Sequence, residues 1–399
     1  KKLSKSKTVE SVFVGFSGTI SKTYQTYRKL RLNSSKEELI ELTYHPKPVI
    51  RAYAFWGLAE RKESGLLSLL LDHINDTIQI DSQFGCVGEE MKLIDFMIKL
   101  VVPEYVFTSD YLFNNQTLLK EDEREILDSN IMFSDNNLNY TKIALLHTNP
   151  KANFYQRIRE LSSMQNIYAI VALAKYKNFE DTLLIKNSYY FNKTKDRFFE
   201  SFYYTFWAFS EFPNACFEKF TLQVFDSVIS TRKDERNLRT LFKAIASFKN
   251  PIFQKYLIRK EKNQNFYSFL GLTDYAYEQY DSLLFYLWAN DKIITNDAFH
   301  YLYEKDKAKS LELLIKTIEP ENKFLEIPDL RIWMDNNYKK TLDLMFLTLY
   351  SDDKIKAMDI LRNKLRTSDY RELEYYCTKA KSIKDTSVIN IILKIRKSM

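Results

Sequence analysis

Apolar residues recur along this chain mostly at helical spacing, and one helical block is repeated. Ala54-Phe55-Trp56-Gly57-Leu58-Ala59, Ala169-Ile170-Val171-Ala172-Leu173-Ala174, Thr205-Phe206-Trp207-Ala208-Phe209-Ser210 and Lys243-Ala244-Ile245-Ala246 share an alternation of small and large apolar residues. Ala172, Ala208 and Ala244 stand 36 residues apart, and Gly57 precedes Ala172 by 115, close to three such periods. A second marker keeps the same period. Asn178, Asn214 and Asn250 each follow one of the alanines by six residues, and each opens another apolar run. Asparagine tolerates left-handed backbone and caps a following helix through its side-chain oxygen, so each marks a corner between two helices. Small residues on one face let the paired helices approach closely, and the large ones fill the space towards the next pair.

Weaker signals organise the rest of the chain. Ser35-Lys36-Glu37-Glu38 is a capping-box sequence that starts a helix running to about Tyr44. Gly15-Phe16-Ser17-Gly18 reads as a flexible lead into the first helix. The helical period persists beyond residue 263, as in Leu311, Leu313, Leu314 and Ile318, or Ile355, Met358 and Leu361. The expected organisation is an N-terminal extension over 1–34 and helical repeats over 35–262 with a polar insertion near 103–140. Degenerate repeats with a basic C-terminal cap then occupy 263–399.

One segment carries a family resemblance. Leu42-Thr43-Tyr44-His45-Pro46-Lys47-Pro48-Val49-Ile50-Arg51-Ala52-Tyr53-Ala54 resembles the HEAT signature, in which a turn with proline is followed by a hydrophobic residue, an arginine and small residues. Pro48 suits the first turn of a helix, where a missing N–H costs nothing. Arg51 matches the family's repeat arginine, a structural residue that bonds the turn of a neighbouring repeat. The block from His73-Ile74-Asn75-Asp76 to Phe84-Gly85-Cys86-Val87-Gly88 is also similar to a segment of bacterial HEAT-repeat proteins without an assigned activity. The resemblance implies an all-α fold, an α-α superhelix of antiparallel helix pairs with atypical ends. Length over period suggests about ten pairs.

Composition agrees with helices and narrows the function. Seven Gly and eight Pro in 399 residues are few for a protein of many short strands. The three cysteines, at 86, 216 and 377, are odd in number and far apart and indicate neither a disulfide framework nor a four-ligand zinc site. The net charge of +7 is concentrated at the ends, in Lys1, Lys2, Lys5 and Lys7 and in residues 354–399, whereas the body from 8 to 353 is net acidic. A nucleic-acid binder needs a continuous basic footprint, so nucleic acid is disfavoured as a partner. No apolar run is long enough to span a bilayer. A first residue of Lys rather than Met suggests a processed, exported protein of the periplasm or cell envelope, with the cytoplasm as the alternative.

Sites for chemistry are not evident. The glycines form no dinucleotide or phosphate-binding loop, and no catalytic, cofactor-binding or metal-binding residues are assigned. His45 and His147 lie beside turn prolines and read as turn residues, while His300 reads as packing in an aromatic helix. His73 sits with Asp72, Asp76 and Asp81 ahead of Cys86, but the spacing matches no standard metal loop. What stands out is the aromatic load, 29 Phe, 27 Tyr and 4 Trp, whose clusters must put rings at the surface. Tyr189, Tyr190, Tyr203, Tyr204, Tyr375 and Tyr376 are the candidate partner-binding aromatics. Biased amino-acid usage would produce the same excess. The expected function is a non-enzymatic scaffold holding a protein or peptide partner, as a free module or as a subunit of a cell-envelope assembly, with no cofactor and no small-molecule substrate. The alternative is a nucleic-acid-binding protein resembling HEAT-like DNA glycosylases, which stack a base against tryptophan. Trp56 and Trp207 hold equivalent repeat positions and are expected in the core.

Overall fold

The computed structural model describes residues 3–102, 118–136, 138–191, 198–231, 235–259, 262–273, 279–291, 293–318 and 344–367. The chain divides into two compact units, Lys1–Phe212 and Pro213–Met399. Both are predominantly helical. The expected polar insertion near 103–140 lies outside the described residues over 103–117 and at 137, and the expected C-terminal cap lies outside them beyond 367.

The first unit contains a small sheet near its start, which corrects the all-α expectation. β1 (Thr8–Val14) and β2 (Thr19–Ile20) precede α1 (Lys22–Asn33), α2 (Lys36–Leu42), α3 (Pro48–Glu60) and α4 (Leu66–Asp72); β3 (Gln79–Gly85) and β4 (Val87–Lys92) lead into α5 (Leu93–Val101). The four strands form one sheet in the order β2-β1-β3-β4, with β1 parallel to β3 and the other pairs antiparallel. Few glycines did not mean no hairpins, because four of the seven sit at the two hairpin turns. Gly15, Gly18 and Gly85 take φ of +73°, +65° and +59°, and Gly88 pairs with Gln83 just past the second turn. Residues 15–18 are therefore a hairpin turn and not a lead into a helix. The sheet buries Val9, Ser11, Ile80, Ser82, Phe84 and Met91 and exposes Gln79 and Asp81, the alternation expected of a one-sided sheet.

α3 is the centre of this core, buried from Ala52 to Ala59. Trp56 lies among Tyr27, Tyr53, Phe84 and Phe96, with ring centroids 5.0 to 6.1 Å away. At Gly57 a side-chain carbon would come 3.4 Å from a Leu39 methyl, so the glycine lets α2 close on α3. Pro48 occupies the first turn of α3, and Ser35 and Glu38 form the expected capping box on α2. Arg51 donates to the His45 carbonyl at 3.0 Å and pairs with Asp76 at 2.9 Å, tying the turn before α3 to the corner after α4. Tyr53 caps the open side of β1, its hydroxyl accepting the Glu10 N–H at 2.7 Å.

The unit continues through α6 (Glu121–Phe133), α7 (Asn139–His147), α8 (Ala152–Ser163), α9 (Ile167–Ala174), α10 (Thr182–Asn187) and α11 (Phe198–Glu211). Buried Asp95 of α5 accepts the N–H groups of Asn139 and Tyr140 at 3.2 and 3.4 Å and so caps α7 from a distance. The second unit contains α12 (Ala215–Thr231), α13 (Glu235–Ser247), α14 (Gln254–Leu257), α15 (Lys262–Thr273), α16 (Asp281–Asp291), α17 (Asn296–Lys305), α18 (Lys307–Ile318) and α19 (Lys354–Thr367). Two of its helices approach closely at Gly271 of α15. A carbon added there would lie 2.7 Å from the Lys243 backbone nitrogen and 2.9 Å from the Phe242 carbonyl carbon, both on α13.

The periodic residues occupy equivalent local structures. Ala172, Ala208 and Ala244 are buried on α9, α11 and α13. Asn178, Asn214 and Asn250 accept, through their side-chain oxygens, the N–H two residues on, from Glu180, Cys216 and Ile252 at 3.0 to 3.1 Å. The left-handed residue at the corner is not the asparagine but the lysine before it, Lys177 at φ +53° and Lys249 at +55°, while Asn178 is extended. At the middle corner that place is taken by Pro213, whose ring forbids positive φ.

Candidate functional site

The candidate aromatics do not form one site. Tyr375 and Tyr376 lie outside the described residues. Tyr189 follows α10 and turns inward, with its ring 6.2 and 6.1 Å from buried Phe202 and Phe206, and it leaves Tyr190 half-exposed at its edge. Tyr203 and Tyr204 belong elsewhere. Phe202, Phe206 and Phe209 recur at helical spacing and take the buried side of α11, which turns Tyr203 and Trp207, four residues apart, towards water.

There the rings form a continuous surface across α9 and α11. Tyr168 of α9 meets Tyr204 edge-on at 4.7 Å, and Tyr204 stacks on Trp207 at 6.0 Å. Tyr203 stands perpendicular to Tyr204 at 5.1 Å and nearly so to Trp207 at 5.9 Å. The edge-to-face contacts match the ring quadrupoles and hold the rings in place. Lys142 of α7 sets its ammonium 5.2 Å from the Tyr168 ring centre. Trp207 donates its indole N–H to Glu211 at 2.8 Å. Trp207 is thus only partly buried, against the expectation that it fills the core, whereas Trp56 is buried.

Tyr168 and Lys142 were not singled out from the sequence, although a signal for the first exists, since Tyr168 precedes Tyr204 by one period of 36 residues. Lys175, at the end of α9, bonds the carbonyls of Leu146 and Thr148 at 2.5 and 3.1 Å and closes the C-terminal end of α7. Burial pushes its ammonium pKa down.

The other polar groups are structural. His73 is buried, with Nε2 3.3 Å from the Thr43 hydroxyl and Nδ1 3.9 Å from Asp76, and burial holds its pKa below the ordinary histidine value despite that carboxylate. The carboxylates near it in sequence go elsewhere, Asp72 to the Tyr44 hydroxyl and Asp76 to Arg51, while Asp81 lies on the exposed side of β3. Among the described residues no three histidine, cysteine or carboxylate side chains gather as a metal site. His45 accepts the Lys47 N–H at 3.0 Å within its turn, and His147 is exposed at the end of α7. His300 is exposed on α17, against the expectation of packing. A polar cleft of about 530 Å³ beside the end of α6 is lined by Asn75, Ser129, Asn130, Asp135 and Asn136. Four of these are bound within the protein, Asn136 to Asn75 at 2.6 Å, Asp135 to Arg157 at 2.8 Å and Asn130 to the Ile126 carbonyl at 2.8 Å.

Among the described residues no helix is long and apolar enough to cross a membrane. Compared with known protein families, with curated proteins and with solved structures, the chain matches none.

Proposed function

We propose that this chain is a HEAT-like repeat scaffold whose Tyr168, Tyr203, Tyr204 and Trp207 surface docks a protein or peptide partner, with no catalytic role of its own. The observation that carries the reading is the contact between Tyr168 and Tyr204. Residues at the same position of successive repeats touch when repeats stack side by side, and such stacking builds the extended surfaces that helical-repeat proteins use for binding. Tyrosine and tryptophan suit that use because they bury much area at small cost in rotamer freedom. The arginine that matches the HEAT pattern also behaves as a repeat arginine does, bonding a turn and the next corner. Attachment to a cell-envelope assembly belongs to the same proposal.

The test compares wild type with Tyr203→Ala and Trp207→Phe in affinity capture from separated soluble and envelope fractions, with nuclease treatment, followed by hydrogen exchange of the purified complex. We expect a stoichiometric, nuclease-resistant partner whose footprint protects α9 and α11. Truncating Tyr203 should weaken it by about tenfold, the cost of a modest hot spot. Recovery of nucleic acid with steeply salt-dependent affinity would replace this reading with the nucleic-acid one.

A further inference from the structure

Four exposed apolar residues of the first unit gather at one end of its sheet, among them its most exposed, Phe16. Phe16 is fully exposed at the β1–β2 turn, and Phe13, Ile20 and Val87 each keep half or more of their surface in water. Strand register brings them together. Phe13 pairs with Ile20, Phe84 with Val87, and Val14 with Gly85, whose carbonyl accepts the Gly15 N–H at 2.8 Å. Both turns thus lie side by side. Val9, Ser11, Ile80 and Phe84 on this face are covered by helices, but beyond them the face runs out uncovered.

Two further observations say what would cover it. Neither residues 11–21 nor residues 82–88 contain a charged side chain, so both turns are free of groups that resist desolvation. Immediately behind them α1 carries Lys22, Arg28 and Lys29, all exposed, with no acidic residue along its length. The nearest carboxylates stand back from the turns: Glu10 accepts the Ser21 hydroxyl at 2.5 Å, Glu89 lies 3.9 Å from the Lys99 ammonium, and Glu90 is exposed opposite Asp81 on β3. A charge-free aromatic tip with cations behind it has the chemistry of an interfacial membrane anchor, which gains from buried apolar area and from attraction to anionic lipid. A second copy is a poorer occupant, because two aromatic and two aliphatic side chains bury on the order of 500 Å², short of the ~800 Å² per partner of a stable dimer.

We propose that the paired hairpin turns of the sheet, tipped by Phe16 and flanked by Phe13, Ile20 and Val87, insert into the headgroup region of an anionic lipid bilayer, with Lys22, Arg28 and Lys29 against its surface. The proposal is independent of the partner surface on α9 and α11.

The experiment is co-sedimentation of the full chain with vesicles of phosphatidylcholine alone and of phosphatidylcholine mixed with phosphatidylglycerol, at low and high salt, for wild type, Phe16→Ser, Lys22→Glu and Tyr203→Ala. Phe16 touches no core residue in its exposed turn, so its replacement leaves folding intact, which circular dichroism checks. Wild type should pellet with the mixed vesicles at low salt, much less with phosphatidylcholine alone and less at high salt. Phe16→Ser should lower the partition coefficient by about tenfold or more, Lys22→Glu by less, and Tyr203→Ala not at all. In a Phe16→Trp variant the mixed vesicles should shift the emission to the blue beyond any shift of the four native tryptophans. Equal binding by wild type and Phe16→Ser, or no binding to the mixed vesicles, overturns the proposal. So does a concentration-dependent dimer that Phe16→Ser abolishes, which would make this face a contact between copies.

Discussion

Asp95 shows how one buried side chain serves two ends. Its carboxylate closes the start of α7 by accepting the N–H groups of Asn139 and Tyr140, yet burial pushes its pKa above the ordinary aspartate value because those bonds replace water only in part. The folded state therefore holds the proton more tightly than the unfolded chain. Its contribution is fully present below the unfolded pKa and is lost as pH rises through the folded one. Asp95→Asn retains an acceptor for the two N–H groups and removes the charge, so its stability relative to wild type should improve from acid to neutral pH. Asp95→Ala removes the acceptors and should cost about 1–2 kcal/mol. Urea denaturation of the three proteins over a pH series checks both outcomes. Lys177 and Lys249 make a different point at this scale: left-handed backbone at a helix corner fell to lysine, with asparagine supplying the cap one residue later.

Among the elements, the helices were the most legible. The capping box at Ser35, the proline at Pro48 and the asparagine corners act within a few residues of themselves, so their geometry follows from local sequence. The sheet was not legible in the same way, since β1 pairs with β3 across some 70 residues and only the glycines at the two turns announce it locally. The contact of α13 with α15 was equally hidden, because Gly271 belongs to no periodic marker. Adding a methyl group there places carbon against backbone atoms of α13 that cannot rotate away. Gly271→Ala should destabilise by about 1–3 kcal/mol, the usual range for overpacking. The fastest-rising hydrogen exchange should fall in α13 and α15; an unchanged melting temperature would show that the two helices part without cost.

For the whole molecule, the division at Phe212 and Pro213 is the feature with consequences. Each unit buries its own large side chains, Tyr53, Trp56, Phe96 and Phe206 in the first and Phe217, Phe242, Phe269 and Trp288 in the second. A unit with its own core has what independent folding requires. Residues 1–212 and 213–399 expressed separately should each be helical and melt cooperatively by circular dichroism; a broad, non-cooperative transition in either would show that it depends on the rest of the chain.

What the sequence determined by itself was local: the helical period, the 36-residue spacing of Ala172, Ala208 and Ala244, the corners at Asn178, Asn214 and Asn250, and the structural place of Arg51. These depend on φ/ψ preference, capping and turn chemistry, which short segments carry within themselves. The tertiary structure decided that Trp56 is buried while Trp207 is only partly so, that Tyr189 turns inward while Tyr203 faces water, that Tyr168 joins Tyr204, and that two glycine turns meet at one end of a sheet. Burial and strand pairing are properties of what packs against a residue, and the partners of Trp56, Phe16 and Tyr204 stand far from them along the chain.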